Sequence, residues 1–405
     1  MDSVKDVTVN LKVAGGVGHS ISNHNVLHPS AIKRVQKHAF YAFERTNSFK
    51  NNSKTLPKPM QMLALSPELC GKIIQFTSHR RRDLLALCLT CKAFQREAEA
   101  RIYAQLMFSD PRRALQACTT VVHNERLALH VRMFCFNQEG TRHPVDLGRE
   151  FWLILQRALI NMSNLEILIL CDNTYMNGWV LDNPAIQFHL QECKLRFRWE
   201  APVIRFLQHQ DELRSLYLYD PLDDLSQALP QGALPVLQMF EGTFLVGMQV
   251  VRSPITHMQA MIDVEAASTL ALLPRLAHLK KTLRGLNLVD VMEEISIPAL
   301  ELITRALPDL RHLGLFSYPM TNRHEFHKYL LPMHNLRSIE LDVSRWNPPP
   351  SVPSGQRALA CELQTFCSKI DKVLFWTGTS RFRWIYTTHW MHRVETTQHN
   401  AWATV

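Results

Sequence analysis

Along residues 160–376 the string Leu-x-x-Leu-x-Leu recurs, with apolar and variable positions alternating after the second leucine. It is clean at Leu165-Glu-Ile-Leu168-Ile-Leu170, Leu213-Arg-Ser-Leu216-Tyr-Leu218 and Leu283-Arg-Gly-Leu286-Asn-Leu288. Leu310-Arg-His-Leu313-Gly-Leu315 and Leu336-Arg-Ser-Ile339-Glu-Leu341 repeat it. Weaker copies start at Leu190 (with Cys193 and Leu195), Leu237 (with Phe240) and Ile370 (with Val373 and Phe375). Period-two alternation over so short a run predicts strands. The intervening residues 151–159 and 298–307 carry apolar side chains at helical spacing. The starts are separated by 25, 23, 24, 46, 27, 26 and 34 residues. The interval of 46 is two periods of 23 and predicts a degenerate copy near residues 255–261. Pro348-Pro349-Pro350 and Ser351-Val352-Pro353 predict an inserted loop that lengthens the last interval.

The string from Leu165 to Asn173 completes the leucine-rich-repeat template. Strand plus helix at this period implies an α/β solenoid with parallel strands on the concave face and helices outside. Alternation puts the leucines inside and the third, fifth and seventh positions outward. The face so defined presents Lys194 and Arg196, then Tyr217 and Tyr219, then Asn287, then His312 and Phe316, then Glu340 and Asp342, with Lys372 and Trp376 last. This is a gradient from basic through aromatic to acidic. Aromatics and arginine are frequent interface anchors, so a bound protein substrate is expected here.

Upstream, a different period holds. In Leu65-Ser66-Pro67-Glu68-Leu69, Ser66 suits an N-cap, Pro67 the first helical position and Glu68 the positive end of the dipole. Leu69, Ile73, Ile74 and Phe76 follow at helical spacing. After His79-Arg80-Arg81-Arg82, Asp83 is the expected N-cap of an apolar second helix over residues 84–89. A third helix reads through Ala98, Arg101, Ile102 and Leu106 and stops at Asp110-Pro111. Three helices in about 45 residues make a core that is marginal alone.

The residues Leu65, Glu68, Leu69, Ile73-Ile74, Asp83-Leu84-Leu85-Ala86-Leu87, Cys91-Lys92-Ala93-Phe94 and Arg101-Ile102-Tyr103 together resemble an F-box. Ser66 stands where the family pattern has proline, with Pro67 one place later, and Phe94 stands where tryptophan is common. The resemblance implies docking onto the Skp-family adaptor of a cullin–RING ubiquitin ligase. Matched position by position, the contact residues it implies are Leu65, Pro67, Leu69, Ile73, Leu84, Leu87 and Phe94. The alternative is that these apolar positions fill the module's own core.

Charge changes the picture only locally. The formal net charge is +9, but residues 1–60 hold nine Lys/Arg against three Asp/Glu, and residues 61–110 hold seven against five. The remaining residues hold 29 against 28. The first 60 residues, rich in Asn, His, Ser and Gly, are expected to be a disordered basic tail with a short helix over residues 32–43. Nucleic-acid binding is therefore not the expected role of the rest. Nine cysteines, an odd number without framework spacing, and a start lacking a signal-peptide layout lead to an expected cytoplasmic or nuclear location. No apolar run reaches the ~20 residues of a membrane span.

Several motifs are set aside. Cys88-Leu-Thr-Cys91 has no second pair, and His324-Glu-Phe-His327 is one residue short of the zincin spacing. His389-Trp-Met-His392 has no companion ligand. Gly15-Gly16-Val17-Gly18 lacks the ending of a phosphate loop, and Asn161-Met-Ser163 is a sequon that matters only after secretion. Neither catalysis nor a cofactor is expected. The expected organisation is a tail (1–60), an F-box (61–110), a helical linker or cap (111–160) and a leucine-rich-repeat substrate-binding domain (161–405). The resemblance implies the non-catalytic substrate-recognition subunit of an SCF-type ubiquitin ligase, partnered by adaptor, cullin and a protein substrate. The alternative is a repeat scaffold that binds a partner without a ligase.

Overall fold

The computed structural model describes residues 65–77, 81–138, 147–219, 228–378, 380–394 and 402. The tail expected over residues 1–60, with its helix over 32–43, lies outside them, as does Gly15-Gly16-Val17-Gly18. The chain forms two compact units, one holding the described residues up to Leu283 and the other beginning at Arg284.

The first unit opens with helices Pro67–Thr77, Arg81–Cys88 and Lys92–Tyr103. Ser66 caps the first: the Leu69 amide donates to Ser66 Oγ at 3.4 Å. Asp83 sits inside the second helix rather than capping it. The third ends at Tyr103, and Leu106 belongs to a strand, β1 (Gln105–Phe108). Asp110 then caps the next helix, Pro111–His123, by accepting from the Arg112 amide at 3.0 Å. Ile74, Leu84 and Ala98 form the module's small core, with Leu87, Cys88, Phe94 and Ile102 packed against it.

Six further parallel strands follow β1 in chain order: β2 (Met133–Asn137), β3 (Ile167–Cys171), β4 (Glu192–Arg196), β5 (Ser215–Leu218), β6 (Met239–Thr243) and β7 (His257–Met261). The repeats therefore begin at Gln105, inside the stretch assigned to the module, and continue through the stretch assigned to a helical cap. The cause is composition. β1 and β2 bury Leu106, Phe108, Phe134 and Phe136, so phenylalanine replaces most of the leucines that mark the template. The degenerate copy falls in β7, where Ile255, Met258 and Ala260 take the inward positions. The inward side chains of each strand and the apolar sides of the helices form the core, with Trp152 buried among Phe136, Phe151 and Phe197. At Gly242 in β6 a Cβ would lie 2.0 Å from the Leu218 carbonyl oxygen of β5, so only glycine fits that approach.

Asp263, just beyond β7, carries an unfavourable charge. Burial pushes its carboxyl up to about 6, against opposing backbone hydrogen bonds at Asp263, Leu245 and Phe244 and one from Thr243. A carboxyl raised in the folded state contributes stability that is complete below its unfolded value near 3.8 and is lost as pH rises through about 6. Asp263→Asn is therefore expected to raise Tm at pH 8 and to leave it nearly unchanged at pH 4. Equal shifts at both pH values in thermal melts would contradict this.

The second unit holds β8 (Gly285–Val289), β9 (His312–Ser317), β10 (Ser338–Asp342) and β11 (Lys372–Trp376), followed by β12 (Arg381–Tyr386) and β13 (Trp390–Val394). β8 to β11 pair in parallel, but β11–β12 and β12–β13 are antiparallel. The repeats thus stop at Trp376, and a hairpin occupies part of the region assigned to repeats. The long interval before β11 contains the helix Pro353–Phe366 after the proline-rich segment. A bulge interrupts β9: Ile339 pairs with Leu313, but two residues later Leu341 pairs with Phe316. One extra residue is accommodated, and Leu315 adopts φ 56°. Phe316 consequently turns inward, fully buried, and is not on the outer face.

Candidate functional site

Two surfaces carry the side chains that sequence reasoning singled out. The first is on the helical module. Leu69, Ile73 and Phe76 lie at i, i+4 and i+7 on one side of helix Pro67–Thr77, with Leu65 just before it. All four are exposed, Leu69 at 48% and Phe76 at 80%. Pro67 is exposed as well. The opposite side, with Cys70 and Ile74, faces inward. Leu84, expected to contact the adaptor, is instead buried, and Leu87 and Phe94 are half-buried against the same core. These three hold the stripe in place from behind. Phe76 and Leu89, both exposed, were not among the expected contacts. For Phe76 the signal was present, since it completes the helical spacing from Leu69.

Near the start of that helix the Glu68 carboxyl is held below its ordinary range by a hydrogen bond to backbone and another from Ser66. The charge at the helix start thus persists into mild acid, which keeps the cap formed.

The second surface is the sheet face turned away from the leucine core in the first unit. Register aligns Lys194, Tyr217, Glu241 and Gln259 across β4 to β7, and Glu192, Ser215, Met239 and His257 in the neighbouring row. Lys194, Arg196, Tyr217 and Tyr219 are half-buried on it, where the outward rule put them. They are tied into a network. Tyr219 O–H donates to Glu241 Oε1 at 2.6 Å, and Arg196 Nε donates to Tyr175 Oη at 2.6 Å while its guanidinium lies 4.8 Å from the Tyr175 ring centre. Burial raises the Glu241 carboxyl, with Tyr219, Lys194 and Gln259 opposing, and burial likewise raises Glu192 against Lys194. The Tyr217 hydroxyl is pushed up to about 12 by burial and by Glu192 and Glu241. The face is therefore of mixed sign and pre-ordered, not simply basic. Beside it Met107, Cys135 and Ile169 align across β1 to β3, an apolar margin that the leucine template did not reveal. Glu241 occupies the fifth position of the copy at Leu237 and was readable once that register was fixed.

In the second unit the expected outward set is largely internal. His312 is 0% exposed: its ring meets Ser338 Oγ through Nδ1 and Asn287 Oδ1 through Nε2 at 2.8 Å. A polar chain Asn287–His312–Ser338 thus crosses three strands. Gly314 permits it, because a Cβ there would lie 1.9 Å from Asn287 Oδ1. Glu340 is 2% exposed and pairs with Arg381 at 2.6 Å. Asp342 is half-buried and accepts from the Ser344 amide at 2.8 Å. Lys372 and Trp376 are half-buried in β11. The acidic end expected from the sequence is therefore not an acidic surface, since its glutamate is neutralised by an arginine from the hairpin.

The set-aside motifs have structural settings. Cys88 packs into the module core, its thiol pushed up to about 11 by burial, while Cys91 is exposed just before helix Lys92–Tyr103. His327 is buried, stacked on Phe366 at 4.5 Å, with Tyr318 O–H on its Nε2 at 2.7 Å. His392 packs on Trp384 and Phe382. Asn161 donates through its amide to the Val122 carbonyl at 3.3 Å. All nine cysteines are unpaired. Among the described residues no helix is long and apolar enough to cross a membrane.

No protein-family model matches the chain, and no curated protein matches it. Among solved structures 16 chains match. One is the leucine-rich repeat-containing protein LegL7 from Legionella pneumophila, with 13% identity and a TM-score of 0.39, covering 68% of this chain and 86% of that one.

Proposed function

We propose that the chain is the substrate-recognition subunit of an SCF-type cullin–RING ubiquitin ligase, in which the helical module docks a Skp-family adaptor and the repeat sheet binds the target protein. The observation that carries the reading is the apolar stripe Leu65, Leu69, Ile73 and Phe76, exposed on one side of a helix whose other side holds a complete small core. Burying a large aliphatic side chain contributes ~1.5–3 kcal/mol, so leaving four such residues in water is costly without a partner. The resemblance of residues 65–103 to an F-box supplies the chemistry of that partner. The chain performs no covalent step in this reading. It raises the effective concentration of target lysines near the ubiquitin-loaded enzyme. Protein binding by the sheet face without a ligase is the alternative, and it uses the same residues Lys194, Arg196, Tyr217 and Tyr219.

The test is capture of adaptor and cullin by the tagged full chain. Leu69→Asp with Ile73→Asp places charge on exposed positions, so the fold should persist while capture falls at least ~100-fold. Undiminished capture by a folded double variant would rule out the adaptor role and leave the scaffold reading. Leu84→Asp is unsuitable because it damages the core.

A further inference from the structure

The C-terminal hairpin alters the sheet face of the second unit in a way that the leucine repeats do not foretell. On β12, Arg381 and Arg383 point to the face away from the core, as the Arg381–Glu340 pair shows, while Trp384 points inward to Gln356 at 3.0 Å. On β13, His392 packs inward on Trp384, so Arg393 shares the outer face. The register places Arg383 directly opposite Arg393, and Arg381 opposite Trp376 of β11. Lys372, on the same face of β11, lies two residues from the position paired with Arg383. Like charges directly opposite one another destabilise an antiparallel pair. Here two arginines occupy such a position, next to a lysine and a half-buried tryptophan, and Glu340 is already committed to Arg381.

We propose that this strip binds an acidic segment of a partner protein, with the Arg383–Arg393 pair and Lys372 meeting its carboxylates and Trp376 providing an apolar anchor. Charge complementarity selects the occupant: an anionic chain laid over opposed arginines offsets their repulsion, and it gains more from them than a neutral one does. Nucleic acid is the less fitting anion. It rewards an extended basic surface, whereas residues 111–405 carry 29 basic against 28 acidic residues. The inference rests on the sheet-face half of the function proposed above and is independent of adaptor docking.

The test measures anisotropy of labelled probes titrated with the full chain. The probes are a Glu/Asp-rich peptide, its Gln/Asn counterpart of equal length, and an oligo-dT strand. The acidic peptide is expected to bind, to weaken with added salt, and to weaken at least ~10-fold in R383E with R393E, while capture of adaptor by that variant is unchanged. Removing opposed like charges should leave Tm the same or higher. If the double reversal unfolds the chain, Arg393→Gln at its exposed position decides the matter, and an unchanged Kd for the acidic peptide overturns the proposal. Equal binding of the neutral counterpart, or tighter binding of oligo-dT, overturns it too.

Discussion

Trp152→Ala is expected to lower stability by ~3–5 kcal/mol, the range for truncating a large aromatic in a packed interior. Trp152 is 1% exposed on helix Arg149–Asn161, with ring centres 5.4 Å from Phe151, 6.2 Å from Phe197 and 6.5 Å from Phe136, all tilted or edge-on. Such pairs add ~0.5–1.5 kcal/mol beyond area alone. Those partners come from β2, the same helix and the residue after β4, so the loss should spread through the unit instead of staying local. Trp152→Phe is expected to cost under ~1.5 kcal/mol, because the buried indole Nε1 finds no hydrogen-bond acceptor among the described residues and phenylalanine removes that donor. Chemical denaturation of both variants checks the pair of values. Similar losses for Ala and Phe would mean that the indole N–H, not the ring's bulk, matters.

The second large effect concerns Arg381→Met. It leaves the 2%-exposed Glu340 without its guanidinium, and breaking a buried ion pair from one side costs ~3–5 kcal/mol. Arg381 keeps 22% of its side-chain exposure, which admits water and places the effect near the lower bound. The double variant Glu340→Gln with Arg381→Met should recover most of the loss, since no buried charge then remains. A double-mutant cycle by denaturant melts reads this as a coupling of at least ~1.5 kcal/mol. Additive losses would show that the two side chains act separately.

What could be read in the sequence was local and periodic. The five clean leucine strings marked β3, β5, β8, β9 and β10, because their spacing alone fixes alternation within a strand. β1 and β2 escaped because Phe108, Phe134 and Phe136 do the leucines' work, and a template of residue types does not see equivalent volume. The bulge at Leu315 escaped because no Gly or Pro sits at the residue with positive φ; only pairing to β10 exposes the extra residue. Glu340 looked like an outward acid because its partner lies 41 residues on, in a hairpin with no leucine signal. In the module, Leu69 and Leu84 are chemically the same residue. Three-helix packing decides that one is core and the other surface, and no spacing within either helix contains that information.

The turn from parallel to antiparallel pairing at Trp376 also has a bearing on how such a chain can change length. Between β8 and β11 each strand meets its neighbours in the same orientation, so duplicating or deleting one strand-plus-helix unit leaves every junction chemically alike. β12 meets β11 head to tail, in a ladder that no repeat can reproduce. New repeats can be gained or lost within the array, but not appended beyond this hairpin. The strip of arginines it carries therefore stays at the terminal position however many repeats precede it.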